Sequence, residues 1–284
     1  MAGAVDLSSL ERFARVLDRP DDSIELGHAA LLIALDAYPG LDVDAYVARM
    51  DALARPLVDA VSDNVPLAAA VDLINGHLFG EEGFRGNTEA YYDPRNSYLN
   101  EVLDRRTGIP VTLSLLYMEV ARRLDLEVVG VGLPGHFVVE ARRDGDALLL
   151  DPFQGGAPLG PEDAEHLMEE VYGGVVPFSE DLLEPVPKRA ILSRILNNLK
   201  MIYLGTGDAE RAWPVVEKMV HLQPESAVDR RDRGLLAHRL NRFGTAQADL
   251  RFYLDRMPDA PDRAAVHASL EAVEAILAVM GPPP

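Results

Sequence analysis

The chain has 284 residues, of which 48% are apolar and 26% charged, the makeup of an ordinary folded protein with room for one large domain or two of common size. Its formal net charge of −19 argues against a general nucleic-acid binder and against anionic membranes, because little is available to neutralise phosphates. The absence of cysteine excludes disulfides, thiolate zinc sites, iron–sulfur clusters and thiol nucleophiles outright.

At the start, Met1 to Phe13 lacks a basic flank followed by an apolar stretch, and nowhere does the chain approach the roughly 20 apolar residues of a membrane span. A cytoplasmic protein is expected. From Ser8 to about Phe79 apolar residues recur at three and four, as in Leu26, Ala29, Leu32 and Ile33, then Tyr46, Met50, Leu53 and Leu57. This spacing predicts three or four modest helices, punctuated by Pro20, Pro39-Gly40 and Pro66. Gly80 to Asn96 reads as a loop rich in Gly, Asn and aromatic residues, long enough to be functional or held by its own side chains. Ser97 to Arg106 and Val111 to Leu124 return to helical periodicity; between them Gly108 is expected to end one helix and Pro110 to open the next.

Between Glu127 and Phe153 the period drops to two. Val128 to Val131, His136 to Arg143 and Ala147 to Phe153 read as strands, the last two joined by an Asp144-Gly145 turn. Proline-rich chain follows to Lys188, and a domain boundary is expected near Pro185 to Pro187. The remainder reads as helical and repeats: Ala212 and Ala246 lie 34 positions apart, as do Pro224 and Pro258, which is the tetratricopeptide period. A helix from Asp262 to Met280 would cap this short array, which is expected to need the first domain for support.

Five segments carry a family resemblance: Gly83-Phe84-Arg85-Gly86-Asn87, Tyr92-Asp93-Pro94-Arg95-Asn96-Ser97, Arg106-Thr107-Gly108-Ile109-Pro110, Leu133-Pro134-Gly135-His136-Phe137 and Asp151-Pro152-Phe153. Together with the repeats they resemble the SirB-type proteins, which join a transglutaminase-like domain to tetratricopeptide repeats. The resemblance implies an α+β chain. A helical part (1–79) and a papain-like core with a small antiparallel sheet (80–160) make up the domain at 1–187, and an all-α repeat array follows at 188–284. Active members of the wider superfamily place a cysteine at a helix start, a histidine opening a following strand and an aspartate ending the next. The helix N-terminus lowers the thiol pKa, the imidazole takes the proton and the carboxylate orients the imidazole. On this pattern the histidine is His136, the aspartate Asp151, and the cysteine position falls on or next to Pro110, which has neither a nucleophile nor an N–H.

The His–Asp half is open to hairpin arithmetic. If Asp144-Gly145 is a two-residue turn, Arg143 pairs with Asp146 and Asp151 with Val138, so His136 and Asp151 project from one face as diagonal neighbours. A three-residue loop would put them on opposite faces. The plainer reading is a histidine bonded for structure and a turn-initiating Asp-Pro. As replacements for the thiol, Ser114 lies one turn deeper than Pro110, about 6 Å along the axis, and Thr112 sits roughly 200° round the helix. Packing or capping is the more economical role for both.

Asn87, Tyr92, Asp93, Asn96 and Asn100, with Ser114, are candidates for lining a cleft near His136; the alternative is that they hold the long loop by bonding local backbone. The other histidines show no metal spacing and no phosphate-binding glycine loop follows a strand, so no cofactor or metal is expected. Two functions stay open. One is a non-catalytic regulatory or interaction module that meets a protein or peptide, through the repeat groove, and neither nucleic acid nor membrane. The other is an amide or ester hydrolase using His136 and Asp151 with water or Ser114.

Overall fold

The computed structural model describes residues 8–160, 162–163, 165–167 and 179–280. Two compact units emerge, Val16–Ile195 and Leu196–Pro284 with Met1–Arg15. The helical lead-in consists of α1 (Ser9–Leu17), α2 (Leu26–Ala34), α3 (Val43–Ala54) and α4 (Leu67–Asn75). Ser8 and Glu11 form a reciprocal cap on α1: the Ser8 Oγ accepts from the Glu11 N–H at 3.2 Å and the Glu11 carboxylate accepts from the Ser8 N–H at 2.8 Å. α4 runs into a six-residue π turn, Gly76–Glu81, in which the Glu82 N–H reaches back to the His77 carbonyl.

The stretch expected to be a plain loop contains more order than its composition suggests. A two-residue strand β1 (Arg85–Gly86) pairs in parallel with β2 (Thr107–Gly108), and Pro94–Asn96 makes a 3-10 turn. α5 (Leu99–Arg105) is closed by Arg106 in the left-handed region at φ 54°, not by Gly108, which is taken up by β2. α6 (Pro110–Arg122) starts on its proline as expected, since the first helical residue has no N–H bond to make.

α6 is buried on nearly every side and is the axis of the first unit, packing on α2, α3, α5, the sheet and the turn after Asp151. Its one acidic side chain, Glu119, is buried and would cost several kcal/mol unpaired. It is paired: the carboxylate accepts from the Gly27 N–H at 3.0 Å and from Arg122 and Arg123 at 3.1 and 2.5 Å. A side chain at Gly27 would collide with that carboxyl group at 2.9 Å.

The sheet is an antiparallel meander of β3 (Glu127–Val131), β4 (Val138–Arg143), β5 (Asp146–Asp151) and β6 (Ala157–Leu159), in that order. β4 begins two residues after His136, and β5 stops at Asp151 because Pro152 opens a 3-10 turn, so both expected strands are shorter than their apolar pattern. β6 lies in the proline-rich region where no strand is expected; the residues 168–178 of that region lie outside those described.

The helix Lys188–Gly205 leads into the second unit, where Ala209–Leu222, Ala227–Arg239, Phe243–Arg256 and Arg263–Met280 follow as antiparallel hairpins with a last helix. The repeat is visible in its turns. Gly207 and Asn241, 34 positions apart, both take the left-handed conformation (φ 74° and 59°), and Ala212 and Ala246 are both fully buried. Asp249, also fully buried, is clamped by Arg233 at 2.6 and 2.9 Å and by Arg230 at 3.3 Å. The chain's three lysines are all built into structure. Lys188 donates to the Asp22 and Ile24 carbonyls, and buried Lys200 reaches Asp232 at 2.7 Å. Buried Lys218 donates to the Ser9 hydroxyl.

Candidate functional site

The Asp144-Gly145 turn has two residues, both with positive φ (54° and 91°), the arrangement whose twist suits a tight hairpin. It sets Arg143 opposite Asp146 and Val139 opposite Leu150. This is the register that carries His136 and Asp151 onto one face. His136 sits in the link before β4, after a Pro134-Gly135 turn in which Gly135 takes φ 70°. Its Nε2 meets the Asp151 Oδ2 at 2.8 Å. The other carboxylate oxygen accepts the Phe153 N–H at 2.9 Å, so Asp151, fully buried, cannot swing away from the ring.

A carboxylate accepts only, so the bond puts the ring proton on Nε2 and leaves the Nδ1 lone pair turned away from Asp151. Nδ1 has no hydrogen-bond partner among the described residues, and the imidazole side chain keeps 11% exposure. The pair can therefore hold and receive a proton. A second restraint acts on the backbone: Arg194, in the helix Lys188–Gly205, donates to the His136 carbonyl at 2.7 Å and lies over the Phe137 ring. Sequence reasoning missed Arg194, because its bond spans 58 positions and nothing local marks it.

An aromatic row leads away from the imidazole. The rings of His136 and Phe153 meet edge to face at 5.9 Å, Phe153 and Tyr91 at 6.3 Å, and Tyr91 and Tyr92 at 5.4 Å. Tyr92 ends the row at 78% exposure. Burial pushes the Tyr91 hydroxyl above the ordinary tyrosine range, against the charge of Arg194. Gly86 is required beside this row, since a Cβ there would stand 2.6 Å from the Phe153 ring.

Three of the six polar residues expected near the cleft, Asn87, Asp93 and Asn96, are spent on the loop itself. The fully buried Asn96 donates to the Ala90 and Tyr91 carbonyls and accepts from Asn87 at 3.0 Å, while its own carbonyl accepts the Thr112 hydroxyl at 2.8 Å. Asp93 caps the 3-10 turn and binds Arg95, whose hydrogen bonds hold its carboxyl below the usual range. Asn100 is buried with its Oδ1 unpartnered. Ser114 is fully buried, and its hydroxyl donates to the Phe137 carbonyl at 3.3 Å, tying α6 to the residue after His136. Thr112 caps α6 by accepting the Ile109 N–H. Both hydroxyls donate to backbone carbonyls. Among the described residues no three acidic or histidine side chains are grouped to hold a metal, and no helix is long and apolar enough to cross a membrane.

Comparison with known families agrees with this architecture. The profile described as the Transglutaminase-like superfamily matches residues 44–197, and one described as the Tetratricopeptide repeat matches residues 199–271. Among curated relatives, the UPF0162 protein of Xylella fastidiosa (strain 9a5c) is 42% identical over 84% of this chain and 86% of its own length. The UPF0162 protein PA3419 of Pseudomonas aeruginosa is 30% identical over 76% and 78%, and the UPF0162 protein YchA of Escherichia coli (strain K12) 25% over 83% and 87%. No solved structure matches.

Proposed function

We propose, for a chain that belongs to the transglutaminase-like superfamily and carries tetratricopeptide repeats behind that domain, a non-catalytic role: a regulatory or protein-interaction module that keeps the His136–Asp151 pair as architecture. The observation that carries this reading is the missing nucleophile. The 284 residues include no cysteine, and the helix whose start the family reserves for it opens on Pro110. An oriented imidazole without a nucleophile to deprotonate has only water to act on. A cytoplasmic location remains part of the proposal.

The repeats support the interaction half of the reading, because arrays of this kind receive partner segments in the groove lined by the first helix of each repeat. Met201 and Leu235 occupy equivalent positions, 34 apart, on those helices, and are 61% and 38% exposed. Such a ladder suits an apolar side chain of a bound peptide.

The rival reading is a hydrolase in which His136 and Asp151 activate water; Ser114 is a poor participant, buried and bonded as it is. A panel of activated esters and anilides, assayed with the full chain and with His136→Ala, separates the two. The non-catalytic reading expects the same background for both. Turnover that falls about a hundredfold or more in His136→Ala, as removal of a general base gives, would sink it.

A further inference from the structure

The sheet ends on β3, and the outer edge of that strand is only half covered. Val131 bridges Pro185 in antiparallel sense, and the Val186 N–H donates to the Gly130 carbonyl at 2.9 Å. The covering segment stops there because Lys188, the next residue whose N–H would face β3, turns into a helix whose first two N–H groups go to the Asp21 carboxylate at 2.8 and 3.0 Å. Backbone groups alternate in direction along a strand. Because the Gly130 carbonyl points away from β4, the N–H and carbonyl of Val128 point the same way, onto an edge where no described strand lies.

Beside this open stretch is a cavity of about 490 Å³ walled by Met118, the Val128–Gly130 strand and Pro185–Pro187, with Asp21, Asp22 and Lys188 at its border, the lysine ammonium being spent on the Asp22 and Ile24 carbonyls. An apolar hollow alone does not say what enters it. The bare backbone does: a donor and an acceptor in strand geometry are matched by another extended polypeptide, which also brings side chains at alternate positions. Charge narrows the choice. Val16–Ile195 holds 32 of the chain's 46 acidic residues but only 14 of its 27 basic ones; beside the edge Glu127 is shared with Arg142 at 3.6 Å, while the exposed Asp22 carboxylate has no cationic partner among the described residues.

We propose that the Glu127–Gly130 edge of β3 is a docking site for an extended, basic segment of a partner protein, which adds a strand at Val128 and seats an aliphatic side chain in the adjoining cavity. The site is separate from both the His136–Asp151 pair and the repeat groove, so it stands whether or not the chain is catalytic.

The test uses the ¹⁵N-labelled full chain and an acetylated, amidated hexapeptide of alternating Arg and Val. A Glu–Val counterpart and two versions N-methylated at alternate residues serve as comparisons. Expected are slowed exchange of the Val128 N–H and tighter binding of the Arg–Val peptide than of the Glu–Val peptide. One methylation pattern should weaken binding by about tenfold and the other should not, since only one of the two faces β3. Val128→Pro should weaken it likewise, and the methylated peptides decide the matter should that variant misfold. Absence of binding, equal binding of the Glu–Val peptide or indifference to methylation would overturn the proposal. So would Val128 protection that grows with protein concentration alone, which would give the edge to a second copy of the chain.

Discussion

Pro110 is the residue on which the functional reading turns, and replacing it is the sharpest test of where the lost nucleophile stood. A thiol at a helix start beside an imidazole has a depressed pKa, raising its thiolate fraction at neutral pH roughly tenfold above that of a free cysteine. Pro110→Cys is therefore expected to alkylate rapidly with iodoacetamide and to slow when His136→Ala is added, read by mass spectrometry of the modified peptide. Equal rates with and without His136 would show that position 110 does not face the imidazole. The pair itself was legible in the sequence, through the even turn at Asp144-Gly145 and the family's Asp-Pro-Phe. Asn96 holding the loop through nearby backbone was one of the two roles the sequence allowed. Arg194 and the orientation of Ser114 were not legible, since each is fixed by a partner far along the chain and local pattern carries no trace of such a bond.

Among elements, α6 shows how a buried charge couples two helices. Burial pushes the Glu119 carboxyl up, but the bond from Arg123, the charge of Arg122 and the Gly27 N–H at the start of α2 outweigh it, and the group is held below the usual carboxylate range. A depressed carboxylate adds stability that is fully present above the ordinary value near ~4.3 and is lost as pH falls through the folded value. Glu119→Gln should thus lower the melting temperature at neutral pH, and the gap to wild type should close in acid; a gap constant with pH would mean that the charge is not what matters. The helices themselves could be read from their three-and-four spacing, and the repeats from the 34-residue period. The end of α5 could not, because a left-handed Arg106 breaks the rule that glycine closes a helix, and the π turn at Gly76–Glu81 leaves the apolar period undisturbed.

For the molecule as a whole, charge is unevenly shared. The first unit carries 32 acidic and 14 basic residues, whereas Leu196–Pro284 carries 12 and 11. Self-repulsion in the first unit should be relieved by salt, since the screening length falls from about 30 Å at 0.01 M to about 8 Å at 0.15 M. The single tryptophan, Trp213, lies in the repeats. Its fluorescence melt should scarcely move with added salt, while the far-ultraviolet dichroism melt, which also follows the first unit, should shift upward; parallel shifts would show that repulsion is shared. Isopeptide formation by the thiol-dependent route uses a thiol to carry the acyl group and a free ε-amine to receive it. This folded chain has no thiol, and each lysine ammonium is held by an internal acceptor. A chain of transglutaminase-like architecture thus offers, in its folded state, neither a thiol to carry an acyl group nor an unengaged lysine to accept one.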